Sequence, residues 1–180
     1  MKRFLPRKLI AVASFLSVVS LYGGIALPAS FHARFVQTVT SPDKAVIRYE
    51  GEVLFNRPAR VKWIYRKPTP KEVCSDGRDV LVVDHDLEQV SRYRLREGFS
   101  LAEVLQRAEP IKPHIYTARY KGKTYTVRTD AKGNVDSVAF FDDADNKVQL
   151  LFRDIRTSKR PIPDTKLRCD YPRTYDVIEG

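Results

Sequence analysis

Asp84-His85-Asp86 places an imidazole between two carboxylates, the side chains that general acid–base catalysis or metal ligation would use. Either use needs further partners. No cysteine is near in sequence, and neither His32 nor His114 has a spacing that implies a shared site, so the triplet reads as a polar turn. Asp142-Asp143-Ala144-Asp145-Asn146 has the look of a calcium loop. It lacks the central glycine and the bidentate glutamate that such a loop needs, and reads as a solvated turn. No serine sits in a G-x-S-x-G elbow and no glycine-rich phosphate loop exists. Cys74 and Cys169 are too sparse for a zinc ribbon. They form a disulfide if their strands lie adjacent with Cα atoms within about 7 Å, or they are two small buried side chains. The residue types therefore predict no enzyme, no metal and no cofactor.

The aromatics are the class left without a role: nine Tyr, nine Phe and one Trp in 180 residues. Their spacing assigns them to elements. Leu27, Phe31, Phe35 and Val39 recur every four residues, which predicts a short helix over 27–39. Strands are then expected at 45–56, 60–66, 71–75, 79–83 and 87–95, where apolar and polar residues alternate. Ser75-Asp76-Gly77 marks a tight turn between two of them. Ser100 and Glu103 form a capping box, with Phe99 and Val104 as its staple. Leu101, Val104, Leu105 and Ala108 make the stripe of this second helix, and Pro110 prevents its continuation. Strands resume at 114–120, 124–129, 135–141 and 148–156, with a last one at 166–170 and an exposed tail at 172–180. About ten neighbouring antiparallel strands must curl strongly or close.

The chain opens with Lys2, Arg3, Arg7 and Lys8 ahead of an apolar run from Leu9 to about Ala26. Gly24 and Ala26 have the small-residue spacing of a cleavage site. Residues 1–26 are thus expected to be a signal peptide and 27–180 one domain. Removing the four leader cations from the net charge of +10 leaves +6. A basic excess on an exported chain, with no helical basic stripe, points to anionic membrane surfaces or acidic proteins rather than nucleic acid.

The stretch R-P-A-R-V-K-W-I-Y-R-K-P from Arg57, K-E-V-C-S-D-G-R-D-V-L-V-V-D from Lys71 and D-L-E-Q-V from Asp86, after Phe31-His32-Ala33-Arg34-Phe35-Val36-Gln37, resembles the LolA family of periplasmic lipoprotein carriers. The resemblance implies an α+β fold, a strongly curved antiparallel sheet (a half-open β-barrel) whose short helices form a lid over an apolar cavity. It implies acyl chains held by Phe31, Phe35, Val53, Phe55, Val61, Trp63, Tyr65, Leu101, Val104, Leu105, Phe140 and Phe152. It makes Arg57 a latch on lid backbone, since a guanidinium offers five donors to open carbonyls. It further implies a monomer in the periplasm. Its partners would be acylated lipoproteins, an inner-membrane ABC-type lipoprotein-releasing transporter, and an outer-membrane lipoprotein receptor or membrane surface. No cysteine lies near residue 27 to carry a lipid, as an anchored receptor of similar fold would need. Family members have a longer first helix, for which a cut after Ala26 leaves little room. The alternative is a binding module of the same shape for glycolipid or envelope-stress sensing.

Overall fold

A computed structural model describes residues 24–94 and 100–179. Among them twelve strands form one sheet: β1 (Ser30–Thr40), β2 (Val46–Asn56), β3 (Arg60–Lys67), β4 (Lys71–Ser75), β5 (Asp79–Asp84), β6 (Gln89–Arg94), β7 (Glu109–Lys112), β8 (Ile115–Tyr120), β9 (Lys123–Thr129), β10 (Val135–Phe141), β11 (Lys147–Ser158) and β12 (Asp176–Glu179). The spatial order is β12-β6-β5-β4-β3-β2-β1-β11-β10-β9-β8-β7. Hairpins join the neighbours, except where β11 returns beside β1 and where β12 runs parallel to β6. The edges β12 and β7 do not pair with each other, so the curved sheet stays open. One helix, α1 (Leu101–Gln106), lies between β6 and β7 in sequence. The fold is mostly β rather than α+β.

The segment expected to be a first helix is strand β1. A spacing of four fits period two as well as period 3.6. Ala33 and Gln37 fill the intermediate inward positions, and Val36, Thr38, Val39 and Thr40 bring β-branched side chains that favour extended backbone. Phe31 opposes Phe55, Ala33 opposes Val53, and Phe35 opposes Gly51 on β2. Gly51 is required there: a Cβ would stand 2.0 Å from the Ile64 carbonyl oxygen and 2.9 Å from the Phe35 ring. Val53 in turn opposes Trp63, and Phe55 opposes Val61. The inward face therefore carries the core, and His32, Arg34, Glu52 and Lys62 stand on the outward one.

Ser100 caps α1 through the Glu103 amide, as the capping box predicts, and Leu101, Ala102, Val104 and Leu105 are buried. Phe99, the expected staple partner, lies outside the described residues. Pro110 does not sit just behind the helix; it stands in edge strand β7, where its missing N–H is tolerated. The expected strand at 166–170 is instead a turn of 3-10 helix (Asp164–Lys166) followed by irregular chain. The tail at 176–179 supplies the strand, because Val177 and Ile178 pair with Val90 and Ser91.

Candidate apolar binding site

Phe31, Phe35, Trp63 and Phe152 form the centre of the core. Phe35 meets Trp63 edge-on at 5.0 Å, Phe31 stacks on Phe55 at 5.2 Å, and Trp63 lies 6.2 Å from Phe152. These contacts use up much of the inward surface. Beside them a cavity of about 500 Å³ remains, within the range of small-ligand sites, about 300–1,000 Å³. Leu101 and Leu105 of α1 form one wall, Phe31 and Ala33 of β1 with Phe152, Ile155 and Thr157 of β11 another, and Tyr116 and Val135 a third. Thr129, Lys132 and Asn134 give it a polar rim. Asp130 holds that rim by accepting hydrogen bonds from the Lys132 and Asn134 amides at 2.8 and 2.9 Å.

Of the residues expected to face acyl chains, Phe31, Leu101, Leu105 and Phe152 line this cavity. Phe35, Val53, Phe55, Trp63 and Val104 are buried in the core beneath it, and Val61, Tyr65 and Phe140 pack half-buried against that core. Ala33, Tyr116, Val135, Ile155 and Thr157 were missed. Ala33 joins them because the segment is a strand, which turns every second residue inward. Gly24, Ile25 and Ala26, assigned above to the leader, also line the cavity. The Ile25 amide donates to the Leu105 carbonyl at 2.8 Å, capping the end of α1.

A second hollow of about 450 Å³ lies at the other end of the inward face, lined by Val39, Tyr49, Tyr65, Val73 and Val82 with Gln37 and Lys71. Tyr65 donates to Gln37 Oε1 at 3.0 Å. Burial pushes its hydroxyl up to about 12, so it stays a neutral donor.

Arg57 is exposed, and its guanidinium has no partner among the described residues. Its backbone N–H donates to Ala29 O at 2.9 Å, one residue from the cavity-lining Leu27–Pro28. Cys74 and Cys169 are bonded to each other. With Glu72 they are the one set of three potential metal ligands found among the described residues, and the bond between the sulfurs leaves no thiolate to ligate. The acidic turns serve their own backbone. Asp142 accepts from the Ala144 and Asn146 amides, and Asp84 pairs with Lys71 at 2.9 Å. His85 contacts the Tyr175 hydroxyl at 3.2 Å. Among the described residues no helix is long and apolar enough to cross a membrane.

An open curved sheet with an apolar hollow under one helix has the form of a binding protein for an apolar ligand. The family described as outer membrane lipoprotein carrier protein LolA matches residues 28–106. The outer-membrane lipoprotein carrier protein of Wolinella succinogenes is 31% identical over 73% of this chain and 80% of that protein. The same-named protein of Helicobacter hepaticus is 27% identical over 83% of each. An uncharacterized conserved protein from Thermus thermophilus shares the fold, with a TM-score of 0.56 at 12% identity over 86% of this chain and 92% of that one. The chain belongs to the LolA family, whose members are carriers rather than enzymes.

Proposed function

We propose that this protein carries lipoproteins through the periplasm, with their acyl chains in the cavity between α1, β1 and β11. The observation that carries the reading is that hollow of about 500 Å³, apolar on three walls, in a chain of this family. A chain of about 15 methylenes gains roughly 12 kcal/mol on leaving water, at about 0.8 kcal/mol each. A bare acylated protein therefore does not cross an aqueous space at a useful rate. A hollow built on side-chain packing recovers part of that energy and can still release its load to a membrane or receptor.

In this reading α1 is the lid. It is six residues long and anchored by four buried side chains, so displacing it exposes the inward face without unfolding the sheet. Arg57 is the latch: its turn is tied to Ala29 beside the cavity wall, and its guanidinium, which makes no bond to α1 here, has its donors free to reach the lid backbone. The carrier is a monomer. It takes its load from an inner-membrane ABC-type transporter and delivers it to an outer-membrane receptor or the membrane itself.

The test is release from spheroplasts. Purified processed protein is mixed with spheroplasts, and lipoprotein is sought by immunoblot in a one-to-one soluble complex. Such a complex is the expected result. A lipoprotein-free supernatant, from folded protein and competent spheroplasts, overturns the carrier reading. Arg57→Leu is expected to slow the release cycle, and normal transfer by that variant would refute the latch.

A further inference from the structure

The net excess of positive charge has a location. After β11 the chain crosses the outward face of the sheet from β1 to β6 and is pinned at each step. Ser30 Oγ donates to Arg160 O at 2.7 Å. The Asn56 side chain makes paired bonds of 2.8 and 2.9 Å with the Ile162 carbonyl and amide. Lys62 Nζ donates to Arg168 O at 2.8 Å, Cys169 is bonded to Cys74, and β12 closes the crossing against β6. All these anchors use backbone or the disulfide. The cationic side chains of the crossing are left over: Lys159, Arg160, Lys166, Arg168 and Arg173 are exposed, and none has an ion pair or side-chain hydrogen bond among the described residues. The acids in the same stretch are few. Asp164 pairs with Arg60, so between β11 and β12 Asp170 alone remains to offset five cations.

We propose that this strap is a docking surface for an anionic phospholipid membrane, on the side of the sheet opposite the cavity. The charges are spread along one crossing rather than gathered into a pocket, which suits a planar array of phosphates better than a single ligand. Leu167 is buried beneath the strap, and Val177 and Ile178 are exposed only at its far edge on β12, so between β11 and β12 the surface offers cations, and attachment there is electrostatic and reversible. Because the crossing is held by a disulfide and four side-chain hydrogen bonds, its charges are ordered before contact and little entropy is lost on docking.

The experiment is sedimentation of the purified protein with vesicles of phosphatidylethanolamine, with and without phosphatidylglycerol. The expected result is binding only to the anionic vesicles, lost between about 0.05 M and about 0.5 M salt as the screening length shrinks. Lys159→Gln, Arg160→Gln and Lys166→Gln together should weaken it roughly a hundredfold, at about fivefold for each cation near an anionic surface. A control triple, Lys44→Gln, Lys112→Gln and Arg119→Gln, removes the same net charge from exposed sites off the strap and should change binding less than about fivefold. Equal loss in both triples would refute the strap and leave only net charge. Indifference to anionic vesicles overturns the proposal, and retention on polyglutamate in that case would assign the strap to an acidic protein instead.

Discussion

Lys62 is a charged side chain placed where a hydrophobe would be expected to suffice. Its side chain is 9% exposed, and its ammonium lies 2.8 Å from Glu72 Oε2 and 2.8 Å from the Arg168 carbonyl. Lys62→Met keeps the aliphatic stem and removes the charge. Glu72, itself 17% exposed, then keeps its carboxylate in a largely dry site without its cation. Breaking one side of a buried pair costs about 3–5 kcal/mol, and the partial exposure of Glu72 sets the expectation near the lower figure, about 3 kcal/mol. In equilibrium urea unfolding this lowers the midpoint by about 1–2 M. In a thermal scan it lowers Tm by about 6–12 °C. Replacing both partners, Lys62→Met with Glu72→Met, should recover most of the loss, since a buried pair exchanged for apolar side chains is close to neutral. A single-variant cost below about 1 kcal/mol would show that water reaches the pair and that it behaves as a surface ion pair. The pinning of the strap at β3 would then need another cause.

Other expectations follow from single contacts. Reducing the Cys74–Cys169 bond reopens a loop of 95 residues in sequence; the chain-entropy argument gives a loss of about 4–5 kcal/mol, to be read as a Tm drop with reductant that Cys74→Ala with Cys169→Ala reproduces. The Arg66 guanidinium chiefly, with help from His32, holds the Glu52 carboxyl below its ordinary 4.5. A lowered folded-state value means that this stabilisation is present above 4.5 and lost as pH falls below 4.5 and through the lower folded-state value. Glu52→Gln should therefore flatten the acid limb of a Tm-against-pH curve, and an unchanged limb would refute the assignment. Gly51→Ala drives a methyl to 2.0 Å from the Ile64 carbonyl; a cost above about 3 kcal/mol is expected in unfolding, and a near-neutral variant would contradict that close approach of β2 to β3.

Most strands were legible because their alternation is clean and their turns carry explicit signals. Asp76, for example, accepts from the Arg78 and Asp79 amides at 2.9 Å each, the chemistry that Ser75-Asp76-Gly77 announces. The capping box at Ser100 was legible for the same reason: the signal is local. The first strand was not, because Phe31 and Phe35 satisfy both periods and only the β2 and β11 partners decide between them. The strand at 176–179 was hidden too, since its pairing with β6 joins segments far apart in sequence and the residues nearby are few and polar. For the site, sequence identified the aromatic face but not which part of it stays unfilled. Phe35 and Trp63 close on each other while Phe31 and Phe152 border space, a difference set by the α1 position and by Ile25, which sequence reasoning had placed in the leader.

The strap divides the sheet mechanically. Strands β1 to β6 are stitched across their back by Ser30, Asn56, Lys62, Cys74 and β12, so they behave as one stiff leaf. Strands β7 to β11 carry no such stitching among the described residues and answer only to their ladders and to α1. The β1–β6 side is therefore the frame, and the other wall of the hollow rests on ladders and on α1 alone. Displacing α1 would break none of these bonds, so the charged back of the protein would keep its shape when the helix moves.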